Sequence, residues 1–204
     1  MGIILKEDST IYNFNDAYDA IERCKKEEEY LKYINEHISL VKRAFVLYFA
    51  PLFYSSINSS LFSDTELKTA IKELAKIIDT HDASKFGDAE FDGYRAKYYP
   101  TRKELDGTDA YRGAVEERYE ECWKHHYQTN DHHPKYWVDP ETNIPRDMSL
   151  RAIIEMICDW EAMALKFNSD TIKWYENDAD DEKSAMSTNT KQIVEELLYN
   201  IIHK

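Results

Sequence analysis

Six of the seven histidines in this sequence fall in three places: His37, His81, and the run KHHYQTNDHH that carries His125, His126, His132 and His133. Asp82 follows His81 directly in the stretch DTHDASKF, and another carboxylate, Asp159, sits in MICDWEAMALKF. Imidazole nitrogens and carboxylate oxygens together suit Mn, Fe, Co, Ni or Zn, whereas calcium prefers all-oxygen sites. Any one of these residues, taken alone, reads as a core histidine or acid satisfied by a neighbour. Taken together they would be costly to bury in an apolar interior, so the expectation is a site for one or two divalent transition-metal ions.

Such side chains need elements to converge them, and the apolar spacing predicts helices. A long helix over 15–49 carries Leu31, Ile34, Ile38, Val41 and Phe45, with His37 at the edge of that face and Pro51 as its stop. Asp64 is the expected N-cap of a second helix, 65–82, striped by Leu67, Ile71, Leu74 and Ile78. His81 and Asp82 follow Ile78 by three and four residues, which directs both inward. A loop at Lys85 to Gly87 and a short helix over 88–98 come next. In a helix over 109–127, Val115, Tyr119 and Cys122 place His126 inward and His125 on the polar side.

The stretch 129–148 reads as an ordered loop, and Ser149 caps a helix to Phe167 with Ile153, Ile157, Trp160, Ala164 and Phe167 inward. Asp159 lies between Met156 and Met163 on that helix, with Glu155 one turn before it. A short helix around 169–176, a mobile surface loop over 177–188 and a closing helix over 190–203 with Ile193, Leu197 and Ile201 complete the chain. The expected fold is all-α, a compact bundle of six or seven helices forming one domain over 1–204.

The 204 residues are 43% apolar and 13% aromatic, enough for a core, and only 5 Gly and 5 Pro interrupt them. A formal charge of −13 with no basic block excludes a nucleic-acid polymer as the expected partner. Small anions remain compatible, because bound divalent ions reverse the local potential. Cys24, Cys122 and Cys158 are spaced neither for a disulfide framework nor for a zinc ribbon, which suits a reducing cytoplasm. The opening MGIILKEDST is too short an apolar run for a signal peptide and lacks a myristoylation signal, and no run is long enough to span a bilayer. Apolar residues on several faces of the first and last helices leave oligomerisation open.

The order His37, His81-Asp82 with Lys85 soon after, paired histidines and a late Asp159 resembles the HD-domain superfamily of metal-dependent phosphohydrolases. Within it, HDASKF, WKHHYQTNDHHPKYW and MICDWEAMALKF look like an uncharacterised family found in phages and bacteria, over about residues 30–176. The chain departs from the superfamily's usual form in the segment between Asp82 and His125, and it lacks the GYP motif of the cyclic-di-GMP phosphodiesterases. The resemblance implies an HD-like bundle in the bacterial cytoplasm, or in a host cytoplasm if phage-encoded. It implies His37, His81, Asp82 and Asp159 as ligands of a first metal, with Asp82 bridging to a second completed by His126 and one of His125, His132 and His133.

The resemblance also implies that Lys85 holds a phosphate oxygen, with Arg95, Lys97 or Arg102 adding positive charge, while Glu155 acts as general base or supports a ligand histidine. Phe86, Phe91, Tyr94, Tyr98, Tyr99, Tyr136 and Trp137 are candidates to stack a nucleobase. The implied substrate is a nucleotide or other small phosphoester, cleaved by a metal-activated water. Two alternatives use the same residues: a di-iron oxygenase of HD type, and a helical module that binds a nucleotide or a partner without turnover.

Overall fold

The computed structural model describes residues 14–202. Among them the expected all-α architecture is present: nine helices, 3-10 and π turns at several ends, and one isolated bridge, Val138 to Pro145, instead of strands. The seven expected helices are α1 (Phe14–Ala44), α2 (Asp64–Ile77), α3 (Phe91–Tyr98), α5 (Asp109–Thr129), α6 (Leu150–Phe167), α7 (Thr171–Asn177) and α9 (Thr188–Leu197). Two one-turn helices are additional, α4 (Arg102–Leu105) and α8 (Asp180–Ser184). No described helix is long and apolar enough to cross a membrane. The expected end of the last helix at His203, and the reading of the first ten residues, lie outside the described residues.

Local chemistry sets the boundaries. Ser63 caps α2 in a reciprocal capping box with Glu66, one residue earlier than the expected Asp64 cap. Thr101 and Glu104 form the same box and start α4, which apolar spacing alone does not reveal. Ser149 caps α6 as expected, and Asn168 ends it in the left-handed region that asparagine tolerates. Helix α1 runs on beyond Ala44 into a π turn over Phe45–Phe49 that ends where the expected helix does, and a 3-10 turn over Ala50–Tyr54 follows with Pro51 at its start.

Helix α6 is the central element, packed against α1, α2 and α9. Ala152, Ile153, Ile154, Met156, Ile157 and Cys158 on it are buried, and each isoleucine so buried contributes roughly 1.5–3 kcal/mol. Phe167 differs from expectation: it is exposed, at the rim of a cavity described below. Leu31 is likewise exposed, and Tyr30 takes the inward position. The stretch 177–188 is a packed segment, contrary to the expected mobile loop, because Ala179, Ala185 and Met186 are buried around α8.

The core has two parts. An aliphatic cluster joins the end of α1 to α2, α6 and α9 through Val41, Leu74, Ile157 and Leu197. A second cluster, rich in tyrosine, joins α1 to α3 and α5 through Tyr30, Ile34, Tyr94 and Cys122. Gly93 sets the spacing of α3 and α5: a Cβ there would collide with Cys122 Sγ and lie 3.1 Å from the Arg118 carbonyl. On α1, Ile34 belongs to the aromatic cluster and Val41 to the aliphatic one, so His37, one turn from each, lies at their junction.

Candidate metal centre

The α-helical part of α2 ends at Ile77, and a 3-10 turn over Ile78–Thr80 leads to His81 in an extended conformation. Asp82 then takes φ 57°, ψ 20°, a left-handed geometry that aspartate adopts more readily than most residues. Both side chains are buried, as the stripe predicts, yet a turn positions them where continuation of the helix was expected. That turn aims the two Asp82 oxygens in different directions.

Asp82 Oδ2 lies 3.4 Å from His37 Nε2 and 3.6 Å from His81 Nε2, and Asp159 Oδ1 is 3.0 Å and 3.9 Å from the same two nitrogens. Asp82 Oδ1 lies 3.3 Å from His126 Nε2 and 3.5 Å from His132 Nε2. Ligand atoms of His37, His81 and Asp159, and separately of Asp82, His126, His132 and His133, fall within 4.8 Å of one another in each group, close enough to share an ion. A third grouping, His81, His132 and Glu155, overlaps both.

The outward nitrogens of two of these rings are tied to acids. His81 Nδ1 is 3.0 Å from Glu155 Oε1, and His126 Nδ1 is 2.8 Å from Glu90 Oε2. A carboxylate on Nδ1 fixes the ring and leaves the Nε2 lone pair for a metal, the usual support of a metal-bound histidine. Nε2 of His81, His132 and His133, Nδ1 of His37 and Oδ1 of Asp82 are buried without a hydrogen-bond partner. Leaving a buried polar atom unpaired costs about 1–3 kcal/mol, and one ion in each of the two groups would between them satisfy four of these five atoms, all but Nδ1 of His37. The donor set fits a metal ion.

The electrostatics agree. Burial opposes charge on Asp82, but the Lys85 ammonium and His81 beside it hold its carboxyl well below the usual range. Desolvation opposes charge on the half-buried Asp159 as well, but His37 holds it low. Burial pulls His37 down, yet Asp159 and Asp82 outweigh it and raise His37 to about 9. His132 and His133 are pushed the other way by burial and by neighbouring histidines, His133 to about 3, so both rings are neutral and ready to donate a lone pair.

Lys85 Nζ bonds Asp82 Oδ2 at 2.6 Å and faces a cavity of about 510 Å³. Tyr94, Tyr98 and Tyr99 line that cavity as candidates for stacking, whereas Phe86, Phe91, Tyr136 and Trp137 do not. Glu155 is buried between His81 and Arg151, where it orients a ring; it is not placed as an isolated base. His125 does not join the centre: its side chain is 47% exposed and its Nδ1 bonds Glu90 at 2.7 Å. His132 and His133 both join, where the resemblance asked for one further histidine.

The extra basic residues do not supply the site. Arg95 is locked to Glu104 and Asp92, Lys97 to Glu116, and Arg102 to Asp106. None of the three lines the cavity.

A family model described as a family of unknown function, DUF5662, matches residues 26–200, which include every residue of the centre. The chain belongs to DUF5662. No curated protein and no solved structure matches it.

Several site residues of this DUF5662 chain carry no motif signal. Glu90 is fully buried and accepts from Ser84 Oγ at 3.0 Å besides holding His126, yet it lies in an irregular turn with no periodicity to mark it. The cavity walls are more legible in hindsight. Tyr30 and Tyr33 precede His37 by seven and four on α1, Tyr119 and Trp123 precede His126 by seven and three on α5, and Met163 follows Asp159 by four on α6. Each therefore shares a helix face with a metal-facing residue one or two turns away.

Proposed function

We propose that this DUF5662 protein is a metal-dependent hydrolase of small phosphoesters, nucleotides among them, organised like the HD-domain phosphohydrolases that its sequence resembles. The observation that carries the reading is Asp82, whose two oxygens face two separate sets of histidine nitrogens behind a cavity that His37, His126, His133, Asp159 and Lys85 line. His37, His81, Asp82 and Asp159 would hold one divalent ion, and Asp82 with His126, His132 and His133 a second. The mixed nitrogen and oxygen donors favour Mn, Fe, Co, Ni or Zn. When bound, such ions acidify water and stabilise negative charge on phosphoryl oxygens.

The reaction forms a P–O bond from water and breaks the P–O bond to the alcohol, and one water proton ends on the departing alcohol. Lys85 is the chain's own contribution at the phosphoryl group, since its ammonium lies at the cavity floor beside Asp82 and donates N–H bonds to anionic oxygens. Burial lowers its pKa, but Asp82 and Asp159 more than offset this, so it stays protonated. Glu155 and Glu90 are positioning residues that hold His81 and His126 in the tautomer with a free Nε2.

The test begins with protein purified without added metal and analysed by plasma mass spectrometry beside His81→Ala and Asp82→Ala. Near-stoichiometric transition metal in the wild type, lost in both variants, is the expected result, followed by phosphate release from a small-phosphoester panel with that metal. A wild type that binds no metal on titration would sink the proposal. Iron alone, with dioxygen consumed and no phosphate released, would move the protein to the oxygenase class.

A further inference from the structure

The cavity beside the centre has two unlike sides. Toward α3 and α5 cations stand at its rim: Lys97 lies 5.1 Å from the Tyr119 ring centroid and Lys135 5.6 Å from that of Trp123, and both rings line the cavity. Toward α6 the chemistry changes. Asp159, Met163 and Phe167 follow one another at spacings of four, so a single ridge of α6 leads from the centre outward over roughly 12 Å of helix. The Tyr33 hydroxyl donates to Met163 Sδ at 4.0 Å, and Lys166, 4.2 Å from the Tyr33 ring, bonds Glu36 at 2.8 Å.

Met163 and Phe167 also line a second cavity, of about 320 Å³, which Trp160, Ala164, Thr171 and Trp174 help to wall. No charged side chain lines this second cavity among the described residues. The Trp160 and Trp174 rings meet there with centroids 5.1 Å apart. Phe167 is 63% exposed and both tryptophans are only half-buried, so large apolar surface gathers in one place on a chain of formal charge −13. Apolar patches of this kind mark places where a ligand or partner sits. Continuity with the metal-centre cavity favours a ligand: the two cavities share Met163 and Phe167, and methionine repacks readily around a guest. A sugar or an additional phosphate would find no ionic partner in this direction, whereas an alkyl or aryl group would be covered.

We infer that the substrate is a phosphoester of an apolar alcohol, its phosphoryl group at the metal centre and its alkyl or aryl group lying along Met163 and Phe167 into the cavity beside Trp160 and Trp174. This rests on the hydrolase reading above and narrows the alcohol to a chemical class. The hydrolysis already written then releases that alcohol and inorganic phosphate.

The experiment uses the full chain loaded with manganese(II). Titration calorimetry and phosphate release are measured for ethyl, butyl, hexyl and octyl phosphate, for adenosine monophosphate and for octan-1-ol. Octyl phosphate is expected to bind at least about tenfold more tightly than butyl phosphate, since each methylene taken from water tightens binding by up to about fourfold. Phe167→Ser, a change at an exposed position, should reduce that octyl-to-butyl ratio by at least about threefold. Binding that does not vary with chain length overturns the inference, and phosphate release from the same compounds would leave the hydrolase reading standing. Adenosine monophosphate binding more tightly than octyl phosphate overturns it as well. Octan-1-ol binding as tightly as octyl phosphate overturns the link to the centre. Dependence on chain length without phosphate release supports the ligand class and overturns hydrolysis. A dimer that Phe167→Ser makes monomeric, with no dependence on chain length, gives the second cavity to another copy of the chain and overturns the inference, as does binding of none of the probes.

Discussion

Two buried polar clusters flank α3, and they are built to opposite ends. Around Arg95 the charges close on themselves: its Nη1 and Nη2 each bond Glu104 at 2.6 Å, Nη2 also bonds Asp92 at 2.8 Å, and Asp92 takes Arg23 and Arg118 in addition. Only the Arg95 Nε is left without a partner. Around Asp82 the charges stay open, with three histidine Nε2 atoms and a carboxylate oxygen unpaired and grouped at ligand distances. Both clusters are rich in ionisable groups, so composition does not separate structure from chemistry. Satisfaction does: a network that pairs its own charges holds the fold, and one that leaves convergent lone pairs awaits a cation.

The sharpest way to break this contrast is Arg95→Met. Removing a side chain that is fully buried strands the Glu104 carboxylate, and a loss of about 3–5 kcal/mol in urea unfolding is expected. Metal per folded molecule should be unchanged. If the variant loses its metal while keeping its stability, the two clusters are not separate in role.

Glu90→Gln sharpens the other side. The amide keeps the volume but withdraws the charge that supports His126, and metal affinity should fall about 10–100-fold in competition with a chromophoric chelator. His125→Ala, which removes a ring outside the centre, should leave that affinity within error.

The smallest effect is in acid. Burial would raise Glu104 and Asp92, but Arg95 outweighs it and holds both below their ordinary values of 4.5 and 3.8. A depressed folded pKa means stability that is present above the unfolded value and lost as pH falls through the folded one. The melting temperature should therefore decline as pH drops below about 4.5, and Glu104→Gln should flatten part of that slope. An unchanged slope would show that Glu104 is not held low by Arg95.

Much of this molecule was readable from local patterns. The 3-to-4 spacing on α1 and α6 located Ile34, His37, Val41, Ile153 and Ile157 on buried faces, and Ser149 marked a helix start, because periodicity and capping act within a turn or two of chain. His81, Asp82, His126 and Asp159 were visible as candidates because their types are rarely buried without a partner. What failed locally was also physical. The segment 177–188 has a loop's composition, yet Ala179, Ala185 and Met186 are buried against other elements, and Glu90 sits where no period could announce it.

By itself, then, the sequence determined the helices, their inner faces and the kinds of donor atom available. Tertiary structure alone decided that a left-handed turn at Asp82 would present one oxygen to His37 on α1 and to His81, and the other to the α5 end, and that His132 and His133, rather than His125, would meet it. The reason is range. Helix period and caps are set by neighbours along the chain, whereas a metal centre is set by which distant faces pack together, a choice made by the whole core.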